Sequence, residues 1–194
     1  MRNIFFGILF GLLVSCNSGD KNAGQVQGDF SDLPAGAVKT PYADNENMVR
    51  VELFDASGAV LQQGDYVDGV RQGVWTEFHP NGFVKSMTGY VNGKQQGQSL
   101  TMDNRGQAET RSFYHNGVLD GEFIKFNRTR IKEKRHYQNG QLNGLTEIYY
   151  ADGKIMESSN YVDGLRDGVA KWYDQQGNVT IEYVYEKGEW IQDE

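Results

Sequence analysis

Few residues in this chain are of types that do covalent or metal chemistry, and their spacing decides what they are for. The histidines are His79, His115 and His136. They lack the short spacings that bring imidazoles together on one zinc ion, so they read as exposed turn or strand-end residues. Asp68, Asp152 and Asp163 each precede a glycine. Calcium loops need denser acidic spacing, and Asp-Gly is itself a turn signal, so turn chemistry is the expectation. No G-x-S-x-G, H-E-x-x-H or phosphate-binding loop occurs in the sequence. The expectation is a non-enzymatic protein with no metal and no cofactor.

Two groups of residues are suited to binding rather than turnover. In "NRTRIKEKRH" (Asn127–His136), Arg128, Arg130, Lys132, Lys134 and Arg135 concentrate positive charge in an otherwise acidic chain. Such a cluster suits lipid headgroups or an acidic partner; as a plain solvated strand it would be offset in part by Glu133. Trp75, Trp172 and a series of tyrosines suit a groove for peptide or glycan, or else hold a thin sheet together. The candidate interaction surface is therefore Trp75, Trp172 and the five basic residues. The formal net charge of −7 argues against a general nucleic-acid binder, which needs clustered Lys and Arg to neutralise phosphates.

Cys16 is the single cysteine, and its surroundings give it a role. The chain opens "MRNIFFGILFGLLVSC": one basic residue, Arg2, then a mostly apolar run from Ile4 to Val14. That is a signal-peptide layout, short for a membrane span. Leu13-Val14-Ser15-Cys16 resembles the lipobox of bacterial lipoprotein precursors, in which the cysteine is lipidated and the peptide cut before it. An ordinary secretory signal and a short anchor are the alternatives. Residues 1–15 are thus read as a signal peptide, whose removal deletes Arg2 and takes the net charge from −7 to −8. With no second cysteine there is no internal disulfide. Residues 16–47 are polar, without any apolar period, and read as a lipidated, disordered tether. A random coil of about 31 residues reaches roughly 30 Å.

The rest of the chain supplies the frame that would position such residues. Tyr66, Tyr90, Tyr114, Tyr137, Tyr161 and Tyr185 recur at intervals of 24, 24, 23, 24 and 24. Glycines follow three residues later, at Gly69, Gly93, Gly117, Gly140, Gly164 and Gly188. Gly73, Gly97, Gly121, Gly144 and Gly168 come four residues after those, and Gly58, Gly82, Gly106, Gly153 and Gly177 precede a tyrosine by eight. The 23-residue unit lacks this last glycine and carries "NRTR" instead, which predicts a local kink. Between glycines lie Val, Thr, Tyr, Phe and Trp, the usual strand population. Each unit reads as a β-hairpin, joined to the next by a seven-residue, glycine-bearing loop such as "VNGKQQG".

Spacing alone sets a register. The fifth residue after each loop glycine should oppose the sixth before each tyrosine: Phe78/Val84, Met102/Ala108, Phe126/Ile131, Tyr149/Ile155 and Tyr173/Val179. By strict alternation the repeat tyrosines share a face with these pairs, leaving Trp75, Glu77, Lys85, Phe123, Lys125 and Trp172 on the other. Neighbouring tyrosines would stand roughly 9.6 Å apart, so side chains of the intervening strand must fill the gaps.

The pattern Tyr-x-x-Gly-x-x-x-Gly-x-aromatic…Asn/Asp-Gly…Tyr resembles the variant MORN repeats of bacterial proteins, from about Met48 to Trp190. The resemblance implies an all-β fold, an extended antiparallel meander of repeated hairpins over residues 48–194. Arrays of this kind are associated with protein interaction and, in some members, with phospholipids; bacterial variants are often labelled antitoxin-like. The expectation is a lipoprotein held in the bacterial cell envelope through lipid on Cys16, at the outer membrane on its periplasmic or surface side. Its repeat array would engage a protein or glycan, with no nucleic acid and no small-molecule cofactor. The alternative is an antitoxin-like or immunity protein that neutralises a toxin.

Overall fold

The computed structural model describes Leu33 and residues 35–192. The described residues form one antiparallel sheet whose strand order follows the sequence. Its strands are β1 (Val38–Tyr42), β2 (Asn45–Phe54), β3 (Val60–Val67), β4 (Val70–Phe78), β5 (Val84–Val91), β6 (Lys94–Met102), β7 (Ala108–His115), β8 (Val118–Leu119), β9 (Gly121–Asn127), β10 (Arg130–Gln138), β11 (Gln141–Leu142), β12 (Gly144–Tyr149), β13 (Ile155–Val162), β14 (Leu165–Tyr173), β15 (Val179–Glu186) and β16 (Glu189–Ile191). All five pairs expected from spacing are cross-strand partners, and Phe54 opposite Val60 adds a sixth. The fold is the expected all-β hairpin meander.

Two backbone devices differ from expectation. The units are joined by two-residue turns and not by seven-residue loops. Asp68 and Gly69 both take positive φ, 50° and 79°, and Val67 pairs directly with Val70 across them. Two consecutive positive φ values define the turn whose twist matches a β-hairpin, and Asp-Gly or Asn-Gly supplies them with least strain. The second glycine of each former "loop" lies inside or beside a strand. There Gln96, Gly97 and Gln98 bulge out opposite Gly89, between the pairs Thr88↔Ser99 and Tyr90↔Gln95.

The second device is a one-residue bulge in each hairpin, just after the turn that closes it, such as His79–Phe83 between β4 and β5. Glu77 pairs with Ser86 but Phe78 pairs with Val84, so Lys85 is extra. The same shift recurs at Thr101/Met102, Ile148/Tyr149 and Trp172/Tyr173. An extra residue moves everything beyond it to the opposite face. This overturns the expected faces: Trp75, Phe123 and Trp172 share a face with the repeat tyrosines, while the Phe78/Val84-type pairs lie on the reverse face. Strict alternation could not reveal a bulge that the spacing conceals.

On the tyrosine face, the gap between successive tyrosines is filled as required. Tyr66 pairs with Arg71, Tyr90 with Gln95, Tyr114 with Leu119, Tyr137 with Leu142, Tyr161 with Arg166 and Tyr185 with Trp190. Each unit also staples the next turn. The N–H groups of Gly93, Gly117, Gly140, Gly164 and Gly188 donate to the carbonyls of Arg71, Gln95, Leu119, Leu142 and Arg166 at 2.8–2.9 Å.

The sheet begins before Met48. β1 and the first residues of β2 lie in what reads as tether, because Val49 and Val51 of β2 are buried with Tyr66 and Trp75 while Leu33 and Ala37 pack against them. β1 then covers the outer edge of β2, with Pro41 opposite Val49 and Lys39 opposite Val51. The signal peptide, Cys16 and the tether as far as residue 32 fall outside the described residues. The 23-residue unit keeps its place in the sheet: Asn127 pairs with Arg130 across a two-residue turn, with Arg128 at φ 57°, and the shorter turn accounts for the deletion.

The turns that close the hairpins generate two expected outcomes. Gly82 has φ 84° with nothing within 4 Å of an added Cβ, so Gly82→Val tests backbone conformation alone. It should destabilise by about 1–3 kcal/mol in chemical denaturation; an unchanged midpoint would contradict the turn. Asp55, Asp103 and Asp174 accept hydrogen bonds from the turns they open, which hold their carboxyls below the ordinary range. The largest causes are the Ser57 hydroxyl at Asp55, the Gln107 N–H at Asp103 and the Asn178 side chain at Asp174. A depressed pKa contributes stability above the unfolded value and loses it as pH falls through the folded one. The melting temperature should therefore drop below about pH 4, and Asp103→Asn should flatten that slope.

Candidate functional site

The tyrosine face is closed at one end of the array and open at the other. At the N-terminal end Tyr66 is fully buried, and Trp75, 5% exposed, meets it edge-on at 5.4 Å between ring centroids. Trp75 Nε1–H donates to the Asp65 carbonyl at 3.1 Å, and the Arg71 guanidinium lies 4.5 Å above its ring. Gly64 makes room beneath, since a Cβ there would come within 2.3 Å of the indole. Trp75 is a core side chain, which removes it from the candidate interaction surface.

At the C-terminal end the same architecture is half-buried. Arg166 lies 5.4 Å over Trp172, between Tyr161 at 5.9 Å and Tyr185 at 5.5 Å, and is held by Glu157 at 2.6 Å. Trp172 continues to Tyr183 at 5.8 Å, and Tyr183 to Trp190 at 4.9 Å. Trp190 is 49% exposed, and Ile181, opposite Trp172, 45%. Trp172, half-buried, thus begins an aromatic run that ends in two exposed rings, Tyr183 and Trp190, which the sequence reading does not include. Their signal was present: they follow Trp172 at strand spacing in "IEYVYEKGEW".

The five basic residues do not form one patch. Arg128 sits on a turn tip, and Arg130 beside it donates to the Ala151 carbonyl at 2.5 Å. Lys132, an exposed residue at the bulge, lines with Arg130, Tyr149 and Tyr150 a shallow cavity of about 190 Å³. Lys134 points to the reverse face, 5.9 Å over the Tyr149 ring. Arg135 points to the tyrosine face, paired with Glu133 and 3.2 Å from the Tyr137 hydroxyl. Alternation along one strand separates them.

The reverse face is apolar at both ends and charged between. Val74, Met87 and Leu100 line an open groove of about 460 Å³ near the N-terminal end. In the middle Arg111 meets Glu122 at 2.5 Å, and Tyr149 donates to Glu147 at 2.6 Å. Burial, followed by that hydrogen bond, pushes the Tyr149 hydroxyl well above its ordinary pKa. Leu145, Val162, Leu165, Val169, Val184 and Ile191 are exposed toward the other end. The histidines are dispersed: His79 Nε2 is 2.9 Å from the Met102 carbonyl and His115 Nδ1 is 3.3 Å from Gln96. Among the described residues no three His, Cys, Asp or Glu side chains are placed to hold a metal ion.

The two ends of the tyrosine face should respond differently to truncation. Trp75→Ala should cost about 3–5 kcal/mol, as for a large core side chain. Trp190→Ala, at an exposed site, should cost less than about 1.5 kcal/mol. Equal losses in urea unfolding would contradict the assignment of one ring to the core and the other to the surface.

A model of the family described as the MORN repeat variant matches residues 71–92, 142–163 and 166–187. Each matched stretch opens on a side chain set between tyrosines, Arg71, Leu142 or Arg166, and closes at the next two-residue turn. The chain carries MORN-variant repeats. No curated protein matches the chain. Among solved structures, the "Glycosylation Associate Protein (Gap123) complex from Streptococcus agalactiae" is similar over 66% of this chain at 20% identity, with a TM-score of 0.31. The match spans 22% of that chain's length.

Proposed function

We propose that this MORN-variant repeat protein is a non-catalytic interaction scaffold at the bacterial cell envelope, tethered to membrane through lipid on Cys16. The observation that carries the scaffold reading is the exposed apolar and aromatic surface at the C-terminal end. Trp190 and Tyr183 lie there on one face, with Val169, Val184 and Ile191 on the other. Contiguous apolar surface of this kind, built on a repeated frame, suits a protein partner. The anchor rests on Leu13-Val14-Ser15-Cys16 following an apolar segment of signal-peptide length.

One experiment examines both parts. Crosslinking in intact cells, followed by membrane purification, should recover a defined partner with the parent chain and lose it with Trp190→Ser/Val184→Ser. Cys16→Ala should leave the chain unprocessed or release it from the membrane. Anchoring of a mature-length Cys16→Ala product would refute the lipid tether, and failure to recover a partner with folded protein would refute the scaffold. A recovered partner that is toxic when expressed alone would instead mark an antitoxin-like role for the same surface.

A further inference from the structure

We propose that a second copy of this chain covers the reverse face of β2–β7, the two sheets being related by a two-fold axis that runs along the strands between β4 and β5. This surface lies inside the array and is separate from the C-terminal rings. On these strands the tyrosine face is already covered, since Leu33 and Ala37 pack on the core of Val49, Val51, Tyr66 and Trp75. The reverse face is open. Val70, Val74, Met87 and Val91 are 40–54% exposed there, with Leu100 half-buried among them. In β4, β5 and β6 this face carries charge at Lys94 alone, beside the Asn92–Gly93 turn, whereas matching positions further along hold Arg111, Glu122, Lys134 and Glu147. An uncharged apolar patch with a charged border suits a protein surface of the same kind.

The face is complementary to itself. Val74, 54% exposed, pairs across the hairpin with Gly89, so a projecting side chain and a vacant position lie side by side. Positions matching Gly89 hold Asp65, Phe113, His136 and Asn160 in other units. An axis along the hairpin lays each residue of β4 over its own hairpin partner in the other copy. Val74 then meets Gly89, Thr76 meets Met87 and Phe78 meets Val84. Such reciprocal contacts are what a two-fold interface requires.

Charge fits the same axis. One row of this face runs Glu52, Gln63, Thr76, Met87, Leu100, Arg111 from strand to strand. The two-fold sets Arg111 of each copy against Glu52 of the other, at both ends of the interface. Arg111 holds Glu122 at 2.5 Å and its buried Nε has no hydrogen-bond partner, so the guanidinium keeps a donor for a second carboxylate. Stacked sheets lie about 10 Å apart with strands within about 30° of each other, a gap that Arg and Glu side chains span. Six strands about 4.8 Å apart, each about eight residues long, project roughly 780 Å², close to the roughly 800 Å² per partner of a standard interface.

The test is sedimentation equilibrium of the full chain in density-matched detergent. The mass should rise from one copy to two with concentration. Val74→Glu, which brings in the residue type of Glu122 at the matching position, should keep the melting temperature and weaken association at least about tenfold. It retains the same N-terminal segment, so pairing through a shared micelle would be unaffected. Glu52→Arg should also weaken association, and adding Arg111→Glu with Glu122→Gln should restore it. Peroxide should oxidise Met87 more slowly in concentrated than in dilute protein, with Met156, half-buried in β13, unchanged. A single copy at every concentration, equal association by Val74→Glu, or a dimer with Met87 unprotected would overturn the proposal. Folded protein in which the charge exchange fails to restore pairing would refute the two-fold arrangement.

Discussion

A single sheet has no second layer to bury its side chains, so they must bury one another within the plane of the sheet. Repeat tyrosines two strands apart cannot touch directly, and each gap has to be filled by the strand between. Arg71 and Arg166 show how: each guanidinium lies 4.5–5.5 Å from the centroids of two neighbouring aromatic rings and covers them. Leu119, Leu142 and Trp190 meet the same requirement by apolar contact. The turn glycines serve this arrangement, because a two-residue turn with positive φ keeps the paired Tyr66 and Arg71 directly opposite each other.

The periodic features of this fold are legible in the sequence, and its aperiodic ones are not. Constant intervals between tyrosines and glycines suffice to place Phe78 opposite Val84 and Tyr173 opposite Val179. They do not reveal that Lys85 is extra, since a bulge changes which face a residue occupies without changing any interval. Strict alternation therefore puts Trp75 on the wrong face. Its burial was not legible at all, because Leu33 and Ala37, which pack near it, belong to a stretch with no periodic pattern. The start of the sheet was hidden for a related reason: Val49 stands 24 residues before Gly73, so a search for glycines passes over it. Scattering of the basic residues across two faces and a turn follows from strand alternation, which a linear view of "RIKEKR" conceals.

The resulting molecule is asymmetric along its length. At the N-terminal end, Leu33, Ala37 and β1 cover the tyrosine face and the sheet edge, and the largest side chains are buried. On the same face Ser159 and Ala170 are still buried in β13 and β14, and Tyr183 and Trp190 beyond them are exposed. The middle carries hydroxyl pairs, Thr88 with Ser99 at 2.8 Å and Thr101 with Thr110 at 2.7 Å, that hold adjacent strands without offering apolar surface. A repeat array built this way sets a covered aromatic end and an exposed one apart along one continuous sheet.

The central claim is that a bulge in each hairpin places Trp75 on the tyrosine face, interleaved with Tyr66 and Arg71. Nuclear Overhauser effects from the Trp75 indole protons measure this directly. The account predicts cross-peaks to the Tyr66 ring and to the Arg71 side chain. Cross-peaks to the Val84 and Met87 methyl groups in their place would put Trp75 on the reverse face and contradict it.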